Sequence, residues 1–339
     1  MIEGILWAVL AGVLNGLYAL PEKYVKGYAY ENTWSLFFLF ALIVCPVLLA
    51  FSLIDNFGAV LCSIESDVLL TMVFASVLWG IGVQLWSKAI DYIGISLGFS
   101  IFIGTVILIG SILPFIVAGL PSPKALMYIV GGLFVILLGI IANGRAGILR
   151  KESEEQKEHM EELSSGKVVR GIVIALIGGV FATGFSLANA VGAEPINAAV
   201  EAAGNPKWMG AIAVMFIVYV SGAIYVLPYF IVELTRKGLW SKFAAPAVGG
   251  NVGATVVMGI FNFGAAASFA YAASSLGSAG GTVGYAIFNT ACIVCAVIGG
   301  IMAKEWATAP AKARGILYFA LVLMSIGVIL IATGNSFNV

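Results

Sequence analysis

Apolar residues run through this chain in long blocks, and the polar and charged positions fall mostly in the gaps between them. A helix that crosses a bilayer needs about 20 mostly apolar residues. Ten blocks meet that length, at roughly 4–20, 34–54, 68–90, 93–118, 125–143, 169–190, 208–233, 248–273, 278–302 and 315–334. Blocks three and four are joined tightly around Asp91, and blocks eight and nine around Ser275. The one long polar stretch, 144–168, includes Lys151, Glu152, Glu154, Glu155, Lys157 and His159. It reads as a solvated linker, with a surface helix as the other form it could take.

The first and sixth blocks align without gaps. Gly4, Ile5, Ala8, Gly12 and Val13 fall against Gly171, Ile172, Ala175, Gly179 and Val180. At the entries to blocks four and nine, Gly94 and Gly98 fall against Gly277 and Gly281. Two halves of five spans each follow, 1–143 and 169–339, with 144–168 between them. An odd number of crossings inverts the second half, the arrangement of secondary transporters. The fold class expected is an all-α polytopic membrane protein of ten helices in two inverted five-helix repeats. The same glycines also let helices pack closely.

Lysine and arginine set the orientation, because they collect in cytoplasmic loops. The linker and its edges hold Arg145, Arg150, Lys151, Lys157, Lys167 and Arg170. Alternate loops hold Lys23 and Lys26, Lys88, then Arg236, Lys237 and Lys242, then Lys304, Lys312 and Arg314. The opposite loops carry little base, only Lys124 and Lys207. The linker is therefore placed in the cytoplasm and both termini outside.

Composition agrees. Of 339 residues, 61% are hydrophobic and 10% charged, and mean hydropathy is +1.06. Soluble domains carry about 25% charged residues, so a soluble globule is excluded, as is disorder. Lysine plus arginine and aspartate plus glutamate both total 17, leaving no basic excess for nucleic acid. Cys292 and Cys295 form a CxxC, but they sit in an apolar run where cysteine packs as a small hydrophobe. With a single histidine, no zinc site or other cofactor is expected. The first apolar run lacks a basic n-region and a small-x-small cleavage site, so no cleavable signal peptide is expected.

A polar side chain in hydrocarbon needs a partner or a watery cavity. The spans hold almost no carboxylates, but they do hold amides, hydroxyls and aromatics. The candidate substrate contacts are Asn15, Tyr18, Gln84, Trp86, Asn189, Asn262, Tyr285 and Asn289, with Thr183 nearby in sequence to Asn189. Such groups suit a neutral polyol, since amides bond hydroxyls and aromatic faces cover the apolar side of a ring. Each could equally be a helix–helix hydrogen bond. Glu22 and Glu194 stand at the ends of the first helix of each half, where a carboxylate could gain and lose a proton; solvation at the interface is the other reading. Lys88 is a cation at the cavity mouth, or simply snorkels to the surface. Neither a metal cluster nor a nucleophile with its base is evident, so an enzyme is not expected.

The segment Pro21, Lys23, Val25, Lys26, Tyr28, Tyr30, Glu31 and Trp34 resembles the bacterial L-rhamnose–proton symporter family. So do Trp79-Gly80-Ile81-Gly82, the spacing Tyr92, Gly94, Ser96, Gly98, and Lys304-Glu305-Trp306. The resemblance implies the drug/metabolite transporter superfamily, ten helices in two inverted repeats, and sugar–proton symport in the cytoplasmic membrane. Its partners would be a small neutral sugar, protons and membrane lipid. A carrier or exporter of another sugar or small metabolite in that superfamily is the alternative.

Overall fold

The computed structural model describes residues 2–155, 165–244, 246–302, 306–335 and 337. Among these the chain is helical throughout, with no strand. The α-helices are α1 (Ile2–Leu17), α2 (Tyr30–Leu39), α3 (Cys45–Leu53), α4 (Phe57–Ser63), α5 (Ser66–Ala118), α6 (Pro123–Glu155), α7 (Ser165–Ala182), α8 (Gly184–Ala202), α9 (Met209–Arg236), α10 (Val248–Leu276), α11 (Tyr285–Met302) and α12 (Ala311–Asn335). His159, Lys304 and Glu305 lie outside the described residues.

Eight helical stretches among the described residues are long and apolar enough to cross a membrane, and Ile101–Gly110 and Tyr285–Gly299 are shorter apolar helices. Large apolar side chains face outward around the bundle: Leu6, Phe74, Phe134 and Phe319 are 59–66% exposed. Water would make that surface unfavourable, whereas lipid tails cover it at no cost.

Helix α5 covers the third and fourth apolar blocks without a break in helical backbone. It is not straight. The rings of Trp86 and Phe102 lie 5.9 Å apart, although a straight helix would separate those residues by about 24 Å. The chain therefore doubles back between them, giving two arms, Ser66–Trp86 and the part from Ile101 onward. The reversal falls between Trp86 and Phe102, the interval that contains Asp91.

Other breaks occur inside apolar runs. Between α1 and the loop, a 3-10 turn (Leu20–Tyr24) starts with Pro21 in its first turn, where a missing N–H costs nothing. A π turn (Phe40–Val44) joins α2 to α3, and a second (Gly280–Gly284) leads into α11. At Thr183, between α7 and α8, the side-chain hydroxyl donates to the Val180 carbonyl at 2.6 Å. That bond offers the backbone an alternative to the regular helical ladder and bends the run. Helix α6 continues to Glu155, so the start of the polar linker is helical.

Helix α1 buries a stripe of small residues, Gly4, Ala8, Ala11 and Gly12. This stripe lets it lie against α10 and α11. A Cβ at Gly12 would come within 2.7 Å of the Phe288 carbonyl. In the second half α7 lies against both arms of α5, and a Cβ at Gly179 would come within 2.9 Å of the Phe102 carbonyl. Helices α6 and α12 pair with one another, and α2 and α3 sit on α9 and α10. The main core forms where these groups meet, around Phe37, Phe263 and Phe269.

Candidate functional site

A cavity of about 320 Å³ lies between α1, α2, both arms of α5, α7, α8, α9, α10 and α11. That is the lower end of the range for small-molecule sites. It reaches from the middle of the bundle toward one end. Its walls take the last turn of α1 through Ala19, the first turns of α2 from Trp34, and Trp86 at the close of the first arm of α5. Lys26 and Lys237 lie in connections at this end, and Lys88 follows Trp86 on α5. At the other end helices touch: Asn197 Nδ2 donates to Ser274 Oγ at 3.1 Å, and Gly4 lies against Leu276.

One wall is polar. Asn262 Nδ2 donates to Asn15 Oδ1 at 3.3 Å, and Asn15 Nδ2 donates to Cys292 Sγ at 3.4 Å. Asn289 Nδ2 donates to the Tyr285 carbonyl at 2.9 Å, one turn back on its own helix. The opposite wall is aromatic and aliphatic. Trp79 lies 5.7 Å from Phe185 and 5.2 Å from Tyr219, and Tyr18 stacks on Phe37 at 5.2 Å. The Tyr219 hydroxyl donates to the Asn262 carbonyl at 3.3 Å, tying the aromatic wall to the polar one. The Tyr285 ring fits because residue 110 is glycine; a Cβ there would sit 2.3 Å from Cε1 of the ring. Among the described lining residues none carries a formal charge.

Six of the eight candidate contacts line this cavity: Asn15, Tyr18, Trp86, Asn262, Tyr285 and Asn289. Gln84 does not. It lines a smaller adjoining chamber whose wall of Trp34, Phe38, Val83 and Trp86 is shared with the main cavity. Its Oε1 accepts a hydrogen bond from the Tyr225 hydroxyl. Asn189 is buried in α8, away from the lining, and its Oδ1 has no hydrogen-bond partner among the described residues. Lys88 is exposed, two residues beyond Trp86.

The two carboxylates sit in different surroundings. Glu22 is half-buried on the 3-10 turn after α1, and its Oε1 accepts the Trp34 indole N–H at 2.8 Å. Trp34 in turn lines the cavity, so one hydrogen bond separates this carboxylate from the site. Glu194 is exposed on α8.

Sequence reasoning missed Cys292 and most of the aromatic wall. Cys292 lies three residues past Asn289 and seven past Tyr285, on one helical face. That spacing was available as a signal. Its CxxC partner Cys295 is free, as is Cys292, and no metal-binding group of side chains occurs among the described residues.

The sequence profile of the family described as L-rhamnose-proton symport protein (RhaT) matches residues 1–336. L-rhamnose-proton symporters of Yersinia pestis (strain Pestoides F) and Yersinia pseudotuberculosis serotype O:1b (strain IP 31758) are each 25% identical over 344 residues, covering 98% of this chain and 98% of theirs.

Proposed function

The chain belongs to the L-rhamnose-proton symport protein family, and on that premise we propose that it carries L-rhamnose with protons across the inner membrane by alternating access. The observation that carries this reading is the uncharged cavity with amides on one wall and aromatic rings on the other. A sugar offers hydroxyls that bond to Asn15, Asn262 and Asn289, and a ring face that stacks on Tyr18 and Trp86. A charged solute would lack a countercharge there.

The ten-crossing, two-repeat architecture is part of the same reading. It is supported by the way contacts exchange between the halves. The first crossing, α1, lies on the eighth and ninth, while the sixth, α7 with α8, lies on the third and fourth. An inverted repeat requires that swap. With the basic loops in the cytoplasm and the termini outside, the cavity faces the cytoplasm in this structure. The opposing state would open the other end and part Asn197 from Ser274.

For coupling, Glu22 is the stronger of the two carboxylates because Trp34 connects it to the cavity. Protonation of Glu22 removes the charge that the indole N–H bonds and frees the ring to move. Gln84 belongs to the adjoining chamber on the path of the sugar, and Lys88 to its mouth.

A ligand that binds only the folded state stabilises it by an amount that grows with the logarithm of its concentration over Kd. Thermal unfolding of the purified protein against a panel of neutral sugars and small metabolites tests the substrate. L-rhamnose is expected to raise the melting temperature. Stabilisation by a different solute alone would keep the carrier and replace the sugar.

A further inference from the structure

Two asparagines at opposite ends of the molecule make the same unusual contact. Asn251, in the first turn of α10, accepts the Lys26 backbone N–H on Oδ1 at 2.9 Å and donates from Nδ2 to the Lys26 carbonyl at 2.8 Å. Asn205, in the connection after α8, accepts the Asp55 backbone N–H on Oδ1 at 2.8 Å and donates from Nδ2 to the Asp55 carbonyl at 3.1 Å. Each carboxamide thus reads both polar groups of one residue of the opposite half. Both asparagines are buried, at 1% and 7% exposure. A buried amide with donor and acceptor both satisfied is held in one orientation, because any rotation strands both groups.

The two contacts are related as the halves are. Lys26 lies in the connection after the first crossing of the first half, and it is held to the start of the third crossing of the second half. Asn205 lies in the connection after the first crossing of the second half, and it is held to the connection leading into the third crossing of the first half. One contact is at the end toward which the cavity reaches, and the other is at the opposite end. Lys26 also lies between Glu22 and Trp34, so its anchor sets where that hydrogen-bonded pair stands against the cavity.

We propose that the Asn251–Lys26 and Asn205–Asp55 contacts occupy equivalent places in the two halves with amide and backbone exchanged, and that Asn251 and Asn205 are positioning residues, each holding one connection fixed while the helices move during transport. This rests on the alternating-access reading above. Two hydrogen bonds from one buried carboxamide to a single residue fix that residue in both place and orientation, so the helices on either side move relative to it. Neither asparagine lines the cavity, so they act on the conformational step and leave binding alone.

Three measurements on the full-length protein test the pair. In Asn251→Ala and in Asn205→Ala, the maximal uptake rate in proteoliposomes should fall by about tenfold, while the equilibrium affinity for L-rhamnose measured by calorimetry stays within about twofold. Lys26→Ala should leave uptake unchanged, because only the backbone of Lys26 is read. In the wild-type protein, which needs no variant to fold, the amides of Lys26 and Asp55 should resist hydrogen exchange equally with and without rhamnose. Wild-type uptake rates in both asparagine variants, or equal losses of rate and affinity, would overturn the proposal. So would free-loop exchange at either amide. The exchange experiment reads the contacts whatever the solute is, so it separates failure of this proposal from failure of the rhamnose assignment.

Discussion

Asn262, Asn15 and Cys292 form one hydrogen-bonded file along the polar wall, so a change at one member leaves the next unsatisfied. Asn262→Leu should weaken rhamnose binding by about 1–3 kcal/mol, the usual cost of an orphaned buried polar group. That is roughly a 5- to 150-fold loss of affinity, readable by calorimetry. Gln84→Leu should cost less, because its partner is Tyr225 in the adjoining chamber. Equal losses would move Gln84 into the sugar's direct contacts. At Glu22, substitution by glutamine should abolish accumulation driven by a proton gradient while sugar-for-sugar exchange persists; loss of both, or of neither, would remove Glu22 from coupling. The amides were legible in the sequence because a polar group in hydrocarbon always demands an account. Trp34, Phe185 and Tyr219 were not, since an aromatic residue in a span looks the same whether it lines a cavity or fills the core. Cys292 was read as packing for the same reason.

At the scale of elements, the helix ends that matter are those that interrupt apolar runs. That the chain turns back between the third and fourth apolar blocks was legible, because Asp91 interrupts them; the structure brackets the reversal between Trp86 and Phe102. The π turns at Phe40–Val44 and Gly280–Gly284 and the bend at Thr183 were not, because the local sequence there stays apolar and small. They arise from the packing that surrounds them. Helix α4 was also missed: Phe57 and Val60 anchor a short helix in what reads as a loop. The paired approaches of Gly12 to the Phe288 carbonyl and Gly179 to the Phe102 carbonyl make a matched test. Gly12→Val and Gly179→Val should each destabilise the protein by about 1–3 kcal/mol through overpacking. Gly253→Val should be nearly neutral, since a Cβ there meets nothing within 4 Å. Thermal unfolding in detergent compares the three, and a harmless change at only one of the pair would break the equivalence.

For the whole molecule, scarcity of charge identified a membrane protein, and the placement of the remaining charge organises it. Lys237 at the end of α9 pairs with Glu31 at 2.5 Å and Glu233 at 3.5 Å. The hydrogen bond to Glu31 raises the lysine pKa above its ordinary value. A raised folded-state pKa means the pair contributes fully below the unfolded value of about 10.4 and is lost only as pH climbs past the folded one. This link is therefore constant near neutral pH. Because Lys237 is 44% exposed, Lys237→Ala should cost less than about 1 kcal/mol and leave the pH profile of uptake unchanged. A shifted profile would implicate Lys237 in coupling. The central claim is that an uncharged cavity carries L-rhamnose at the expense of a proton gradient. Uptake of radiolabelled L-rhamnose into proteoliposomes with an imposed pH difference tests it most directly. Accumulation above the external concentration that collapses on adding a protonophore is the result expected. Uptake of rhamnose that ignores the gradient, or no uptake of rhamnose at all, would contradict it.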